Sequence, residues 1–236
     1  MANDIEEFYN KTKLKSIASH AGRTPVEYIH IFHKEYPRFP SVKLSRSIDN
    51  GEYNRLLRTR KSERRFSNKP VSIKILAKIL SSCRIIDANP ERRTYPSAGA
   101  RFPVEIYVVA MRLNGLRQGI YHLNIKNFAL ETLLSENLRQ YETELASQFL
   151  KNVAGVVILT SVLSRSEVKY GLKAYPYSLL EAGYIGQNIQ LSCSKYGIGS
   201  CAVGGFINDR VIELLDLTSD ELPIHVIAFG SRKKII

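Results

Sequence analysis

The run of apolar and polar positions divides the chain into a series of elements. Residues 4–19 carry a partly amphipathic helical pattern in a polar background. Thr24-Pro25-Val26-Glu27 reads as the start of a further helix, with Thr24 as N-cap, Pro25 in the first turn and Glu27 reaching back. It ends before Pro37, and Tyr36 to Asn50 reads as a linking arm. A short helix over 51–58 follows. Ser72 then caps a helix in which Ile73, Leu76, Ala77, Ile79 and Leu80 recur at helical spacing. The loop 87–99 is rich in Pro, Asn, Ser and Arg. Val104–Ala110 is β-rich, and 119–123 and 128–133 read as strands around a turn at 124–127. Residues 136–149 have a helical pattern. Val153–Leu163 is an almost continuous apolar run, the pattern of a strand buried on both faces. A long helix over 178–196 is stopped by Gly197. A short strand at 200–203, a helix capped by Asn208 and running to Leu215, and a buried strand at 225–229 complete the chain.

Helices come first, and strands with hairpin spacing are then mixed with helices. That order predicts an α+β fold, with helices flanking a central mixed or antiparallel sheet. Neither a regular βαβ alternation nor a GxGxxG turn after a first strand is present, which argues against a dinucleotide-binding fold. The break near residue 50 divides a helical extension and arm (1–50) from a main domain (51–236).

Composition changes this picture only at a few points. The 236 residues are 44% hydrophobic and 24% charged, the balance of an ordinary soluble globular protein. The longest apolar run is too short to cross a bilayer, and the first residues, MANDIEEFYNKTKLK, put charges where a secretion signal needs an apolar stretch. The expected location is the cytoplasm. Cys83, Cys193 and Cys201 are odd in number and lack metal-type spacing, and His30 and His33 share a helix face without a third ligand, so no metal site is expected.

Charge is more informative. The net charge is +12, and Arg55, Arg58, Arg60, Lys61, Arg64, Arg65 and Lys69 stand against one acid, Glu63. Arg232, Lys233 and Lys234 form a second cluster at the other end. An excess of this size points to an anionic partner, if the clusters are not simply solvated faces. Nucleic acid fits poorly, since no aromatic residues are interleaved to make a stacking platform.

Four stretches could carry chemistry. In Arg60-Lys61-Ser62-Glu63-Arg64, alternate positions of an extended segment put two guanidiniums and a hydroxyl on one side, which suits a phosphate. In Tyr95-Pro96-Ser97-Ala98-Gly99-Ala100, small residues let backbone approach a ligand closely. Gly204-Gly205, after a short strand, expose backbone amides. Lys169-Tyr170 is either a solvated dipeptide or an acid/base pair. Adjacent side chains diverge by roughly 100° on a helix and to opposite faces on a strand, so contact between the two does not follow from their adjacency. Ala182, Gly183 and Gly186 lie close together on the long helix, where each glycine costs about 1 kcal/mol relative to alanine. Packing on the sheet, or close approach of another helix or a flat ligand, would offset that.

In order, the R-x-S-x-R segment, the PSAGARFPVEIYVV loop and strand, GIYHLN, the EAGxxxQN helix, the GxGSxxxGGF turn and the basic end after Phe229-Gly230 resemble the flavin-dependent nitroreductase superfamily. Within it they resemble the SagB-type dehydrogenases, the azoline oxidases of ribosomal peptide biosynthesis. The resemblance covers about Tyr28 to Arg232. It implies a nitroreductase-like fold with FMN at the interface of a homodimer. Arg60, Ser62 and Arg64 would hold the FMN phosphate and ribityl chain, with Arg232 or Lys233 completing the phosphate site. Pro96, Ser97, Ala98 and Gly99 would line the isoalloxazine, Gln187 would join the cofactor site, and the N–H groups of Gly204 and Gly205 would meet the N5 and O4 edge. The Gly/Ala face of the long helix would serve dimer packing.

The same resemblance makes Lys169-Tyr170 the catalytic motif, which plain nitroreductases lack. The implied reaction turns thiazolines or oxazolines of a modified precursor peptide into thiazoles or oxazoles, with electrons passed to dioxygen. Free Tyr and Lys titrate at about 10 and 10.4, so one of them must be adapted to act as the base while the other assists. A related oxidase of carrier-bound or cyclic dipeptide substrates and an NAD(P)H-dependent nitroreductase are the enzyme alternatives. A basic protein that binds nucleic acid or an acidic leader peptide is the non-enzyme alternative. Lys173 and Ala174-Tyr175-Pro176-Tyr177 stand where more arginine would be expected, which bears on substrate contacts. Nothing resembles a fused cyclodehydratase, so a separate partner would have to make the azoline.

Overall fold

The computed structural model describes residues 2–16, 33–44, 50–86, 89 and 92–233. The predicted capping turn at Thr24, and His30, lie outside them. In chain order the elements are α1 (Ala2–Thr12), α2 (Glu52–Thr59), β1 (Val71–Ser72), α3 (Ile73–Leu80), β2 (Val104–Ala110), β3 (Leu113–Asn114), β4 (Gly119–Asn124), β5 (Ala129–Leu134), α4 (Glu142–Ala146), β6 (Gly155–Val162), α5 (Ser164–Tyr170), α6 (Ala174–Lys195), β7 (Ile198–Val203), α7 (Asn208–Leu215) and β8 (Glu221–Ser231).

Six strands form one sheet in the order β5-β4-β2-β6-β8-β7, and every neighbouring pair is antiparallel. The mixed-or-antiparallel expectation is thus resolved to antiparallel for this sheet, with a separate two-residue parallel pairing of β1 and β3. Side chains of β6 alternate between two cores. Val157 and Leu159 join α3 and α6 through Leu76, Ile79, Ile185 and Ile189 on one face. Val156 and Ile158 join α4 and α7 through Leu145, Val211 and Leu215 on the other. The burial on both faces expected of this run comes from helices covering both sides of the antiparallel sheet.

Several boundaries differ from the sequence pattern. α3 starts as expected, with the Ser72 hydroxyl accepting the Lys74 N–H at 3.2 Å. The helix expected over 136–149 is confined to Glu142–Ala146, and Ser147 at φ +72° ends it in a conformation no helix continues. α6 begins at Ala174 rather than Ser178. Pro176 falls in its first turn, where a missing N–H costs nothing. Asn208 does not cap α7. Its amide donates to Tyr9 Oη at 2.9 Å and its carbonyl accepts the Leu14 N–H at 3.1 Å, docking α1 against α7. α1 itself ends at Thr12, and Ile5 and Tyr9 pack on Leu163 and Leu222. Residues 33–44 are exposed throughout.

Candidate active site

The first group of predicted residues lies along edge strand β7. Residues 62–66 run beside it, with Ser62 bridging Ser200 and the Glu63 N–H donating to the Ser200 carbonyl at 2.8 Å. Phe66 bridges Arg232 just past the end of β8, and the Ser67 N–H donates to Ser231 O at 2.8 Å. Two glycines allow this close approach. Gly199 and Gly230 face each other across β7 and β8; a Cβ on the first would lie 2.8 Å from Glu63 Cγ, and one on the second 2.9 Å from Phe66 Cγ.

The approach brings the two basic clusters together. The Ser62 hydroxyl hydrogen-bonds the Cys201 thiol, which also feels the charge of Arg64. Cys193, in the last turns of α6, is hydrogen-bonded to Ser200 and feels the charge of Arg232. Burial still dominates both thiols, pushing Cys193 up to about 12 and Cys201 in the same direction. Among the described residues neither Arg60 nor Arg64 has a carboxylate partner, whereas the neighbouring Lys61 pairs with Glu63 at 3.5 Å. Arg232 Nε is buried with no hydrogen-bond partner. A buried guanidinium donor without an acceptor, beside two unpaired arginines, fits the phosphate of a mononucleotide such as FMN. Lys233 is exposed at the end of the described chain. Gly204 lies about 13 Å beyond Ser200 along the same edge, exposed and with open space around its Cα.

The second group surrounds the N-terminal end of α6. Lys169 and Tyr170 are the last residues of α5, which Gly171 ends at φ +52°. Their side chains nevertheless come near one another. Lys169 Nζ stands 5.3 Å from the centroid of the Tyr170 ring. Both side chains close on Gly99: a Cβ there would be 2.3 Å from Tyr170 Oη and 2.8 Å from Lys169 Nζ. The loop that presents Gly99 is strained. Gly99, Ala100 and Phe102 have φ of +56°, +53° and +49°, and only the first is a residue to which this conformation is easy. Ser97 Oγ accepts the Phe102 N–H at 2.8 Å, and the Arg93 guanidinium covers the Phe102 ring at 3.8 Å.

Further residues, not singled out in the sequence, build this end. Asn188 of α6 donates to the carbonyls of Ser82 and Thr94, at 3.2 and 3.0 Å, fixing the approach to Pro96. Arg165 of α5 donates to Glu105 at 2.5 Å and to Phe102 O at 3.2 Å. Glu105 also meets His122 Nε2 at 2.9 Å, and His122 Nδ1 meets Glu131 at 2.9 Å. The hydrogen bond with Glu105 leads the causes that raise the His122 pKa. Glu181 is 2% exposed, and burial pushes its carboxyl up to about 7. Only an unusual neighbourhood would have flagged it, since glutamate on a helix is ordinary.

The two groups are apart within one chain. Glu181 and Cys193 are about 18 Å apart along α6. β2, which follows the Gly99 loop, lies three strands from β7, about 14 Å across the sheet. Gln187 is exposed on α6 between them. The small residues of α6 also separate. Ala182 is buried, and a Cβ on Gly186 would meet the His225 ring at 3.0 Å, so both pack on the sheet. Gly183 faces open space beside exposed Leu179, Leu180 and Tyr184. His33 is exposed and meets Glu35 at 2.9 Å. Among the described residues no cluster of three metal-ligating side chains occurs, and no helix is long and apolar enough to cross a membrane.

The sequence profile of the nitroreductase family matches residues 57–231. The putative nitroreductase MJ1384 of Methanocaldococcus jannaschii is 27% identical over 73% of this chain and 87% of its own length. The microcin B17-processing protein McbC of Escherichia coli is 24% identical over 96% of this chain and 89% of its own. Among solved structures, a chain of the E. coli microcin synthetase McbBCD complex, with truncated pro-MccB17 bound, superposes with a TM-score of 0.78 at 20% identity, covering 99% of this chain and 93% of that one.

Proposed function

This chain belongs to the nitroreductase family of oxidoreductases, and from that premise we propose that it is an FMN-dependent dehydrogenase that oxidises thiazolines or oxazolines of a ribosomally made peptide to the aromatic azoles. The observation that carries this reading is the closure of Lys169 Nζ and Tyr170 Oη on Gly99. Azoline oxidation removes a proton from one ring carbon and a hydride from its neighbour. When bound, FMN supplies the hydride acceptance and the onward passage of electrons to dioxygen. The chain must supply the base and hold the ring, and an ammonium and a phenol directed at the same small residue are suited to share that work.

Arg60, Ser62, Arg64 and Arg232 would hold the cofactor phosphate, with Lys233 available at the rim, and the amides of Gly204 and Gly205 would serve the ring edge. Pro96, Ser97, Ala98 and Gly99 would form the opposing wall, with Gln187 joining the cofactor site. The separation of edge and wall in one chain supports a homodimer in which each site takes its cradle from one protomer and its wall from the other. The exposed Leu179 and Gly183 give α6 a face for such packing. Similarity to a microcin-processing protein, and to a chain of a synthetase complex solved with its peptide, supports a peptide substrate and a separate cyclodehydratase partner.

The test is to purify the protein, identify any released flavin, and supply an azoline-bearing peptide in air. Loss of two hydrogens per ring, with oxygen consumed, supports the reading. A protein that refuses added FMN, or one whose flavin is bleached rapidly by NADPH while azolines are left untouched, sinks it; the second result favours a nitroreductase.

A further inference from the structure

A cleft of about 300 Å³ opens at the N-terminal end of α6, walled by Pro96, Ser97, Ala98, Tyr177 and Tyr184, with Glu181 in its lining. It adjoins the Lys169–Tyr170 pair in two ways. Ala98 precedes the Gly99 on which both side chains close, and the Tyr177 ring stands edge-on to Tyr170 with centroids 5.1 Å apart. One carboxyl oxygen of Glu181, Oε1, is buried without a hydrogen-bond partner among the described residues. The carboxyl is also hydrogen-bonded by the Ser97 side chain and the Val104 backbone N–H. An unpartnered oxygen in such a place is costly as a carboxylate and less so as a protonated acid that can donate to an incoming acceptor.

We propose, resting on the azoline reading above, that this cleft is the subsite for the substrate ring and its adjoining peptide carbonyl, and that Glu181 acts there as a neutral carboxylic acid donating a hydrogen bond to an acceptor conjugated with the carbon that loses its proton. As Lys169 or Tyr170 takes that proton, electron density moves onto the ring nitrogen or the neighbouring carbonyl oxygen. A donor held at that atom stabilises the charge where it develops. Glu181 keeps its own proton throughout, so the overall loss of one proton and one hydride from the ring is unchanged.

The groups facing Glu181 are consistent with a neutral acid near neutrality. Arg93, from the loop before β2, and Arg165, from α5, favour the carboxylate, but burial outweighs them and leaves the group at about 7. Tyr95, itself pushed up by burial, faces it from the same loop as Arg93, and Tyr177 and Tyr184 flank it on α6. The donor is therefore present below about pH 7 and is lost as the pH rises through that value.

The experiment uses the full chain loaded with FMN. Difference infrared spectra, assigned by Glu181→Gln, follow the C=O stretch of a protonated carboxyl at pH 6 as FMN and then an azoline peptide are added. A band that moves on peptide addition supports the proposal even if no turnover follows, which separates its failure from that of the proposed reaction. In turnover, Glu181→Gln keeps a weaker neutral donor, so its kcat at pH 6 is expected to fall, by less than that of Glu181→Leu, and to lose the decline above pH 7. Glu181→Leu is expected to lower kcat by about 100-fold with a smaller change in KM, its FMN content unchanged. No band shift with peptide, a shift on FMN loading that peptide leaves alone, or a Glu181→Leu kcat within a few-fold of the parent overturns the proposal.

Discussion

Along β7, charge is left open: among the described residues Arg60 and Arg64 have no carboxylate partner and Arg232 Nε has no hydrogen-bond partner. The N-terminal end of α6 is more fully paired. Arg165, Glu105, His122 and Glu131 form one connected series of charge-assisted contacts, Arg93 lies over an aromatic ring, and the buried atoms without a partner among the described residues are of both kinds, Arg93 Nε and one carboxyl oxygen each of Glu181 and Glu167. The first region is built to receive a fixed negative charge. The second spends its own charges on holding two side chains and a strained loop in place. Binding and chemistry can therefore be damaged separately, and that separation is what variants should test.

The largest effect is expected in the second region. Lys169→Ala or Tyr170→Phe should lower azoline turnover by about 100-fold or more, the range for losing a positioned acid or base, while FMN content stays at the parent level. Turnover unchanged in both variants would remove the role assigned to the pair. Next comes the cradle. Arg232→Gln removes a charge-assisted hydrogen bond worth about 1.5–3 kcal/mol, so the FMN Kd should rise roughly 10- to 100-fold by fluorescence titration. Excess FMN should then restore turnover. A variant that binds FMN normally would mean that the buried Nε serves some other acceptor.

A sharper form of the comparison mixes the two defects. If each site joins the cradle of one protomer to the wall of its partner, a dimer of one Arg232→Gln chain and one Lys169→Ala chain contains one site with both parts intact. Random mixing of equal amounts should then recover about a quarter of the parent activity at limiting FMN. No recovery, with subunit exchange verified by mass, would mean that each chain builds its site alone.

How far each region was legible follows from the same contrast. Arginines spaced Arg60-Ser62-Arg64 and a second basic cluster at Arg232 can be read as a phosphate site from charge alone. The glycines at 199 and 230 that let the segment lie on the sheet are visible in the sequence, though their partners Glu63 and Phe66 are not. The helix α3 follows from apolar spacing at 3.6 residues, and the strands β2 and β6 from short apolar, β-branched runs buried nearly throughout. The wall does not repeat. Lys169 and Tyr170 come near one another where α5 ends before Gly171, and their common target is fixed by the left-handed turn at Gly99. Glu181 is set apart by a distant loop of the chain, the one carrying Arg93 and Ser97, closing over it, which no local pattern reports. The Gly/Ala stretch of α6 illustrates the same limit, since Gly186 turns to His225 on the sheet and Gly183 to open space.

The smallest expected effect concerns how each region responds to pH. His122 is raised by its hydrogen bond to Glu105, so its contribution to stability is full below the unfolded value of 6.5 and is lost as pH rises through the higher folded value. For Glu105, burial alone would push the carboxyl up, but the His122 hydrogen bond and the Arg165 charge outweigh it and the net shift is downward. Its contribution is present above 4.5 and lost as pH falls through the lower folded value. The series that anchors α5 is thus strongest between those limits and loosens as pH rises through the raised folded value of His122, leaving a neutral ring flanked by two carboxylates. Hydrogen exchange should show α5 gaining mobility as the pH is raised from 6 through that value, after correction for the intrinsic rate, while residues 62–66 on β7 do not change. His122→Gln should abolish the difference between the pH values without altering FMN affinity. Equal loosening of both segments would mean that wall and cradle are one cooperative unit, and the contrast between them would then describe the chemistry of the site rather than its mechanics.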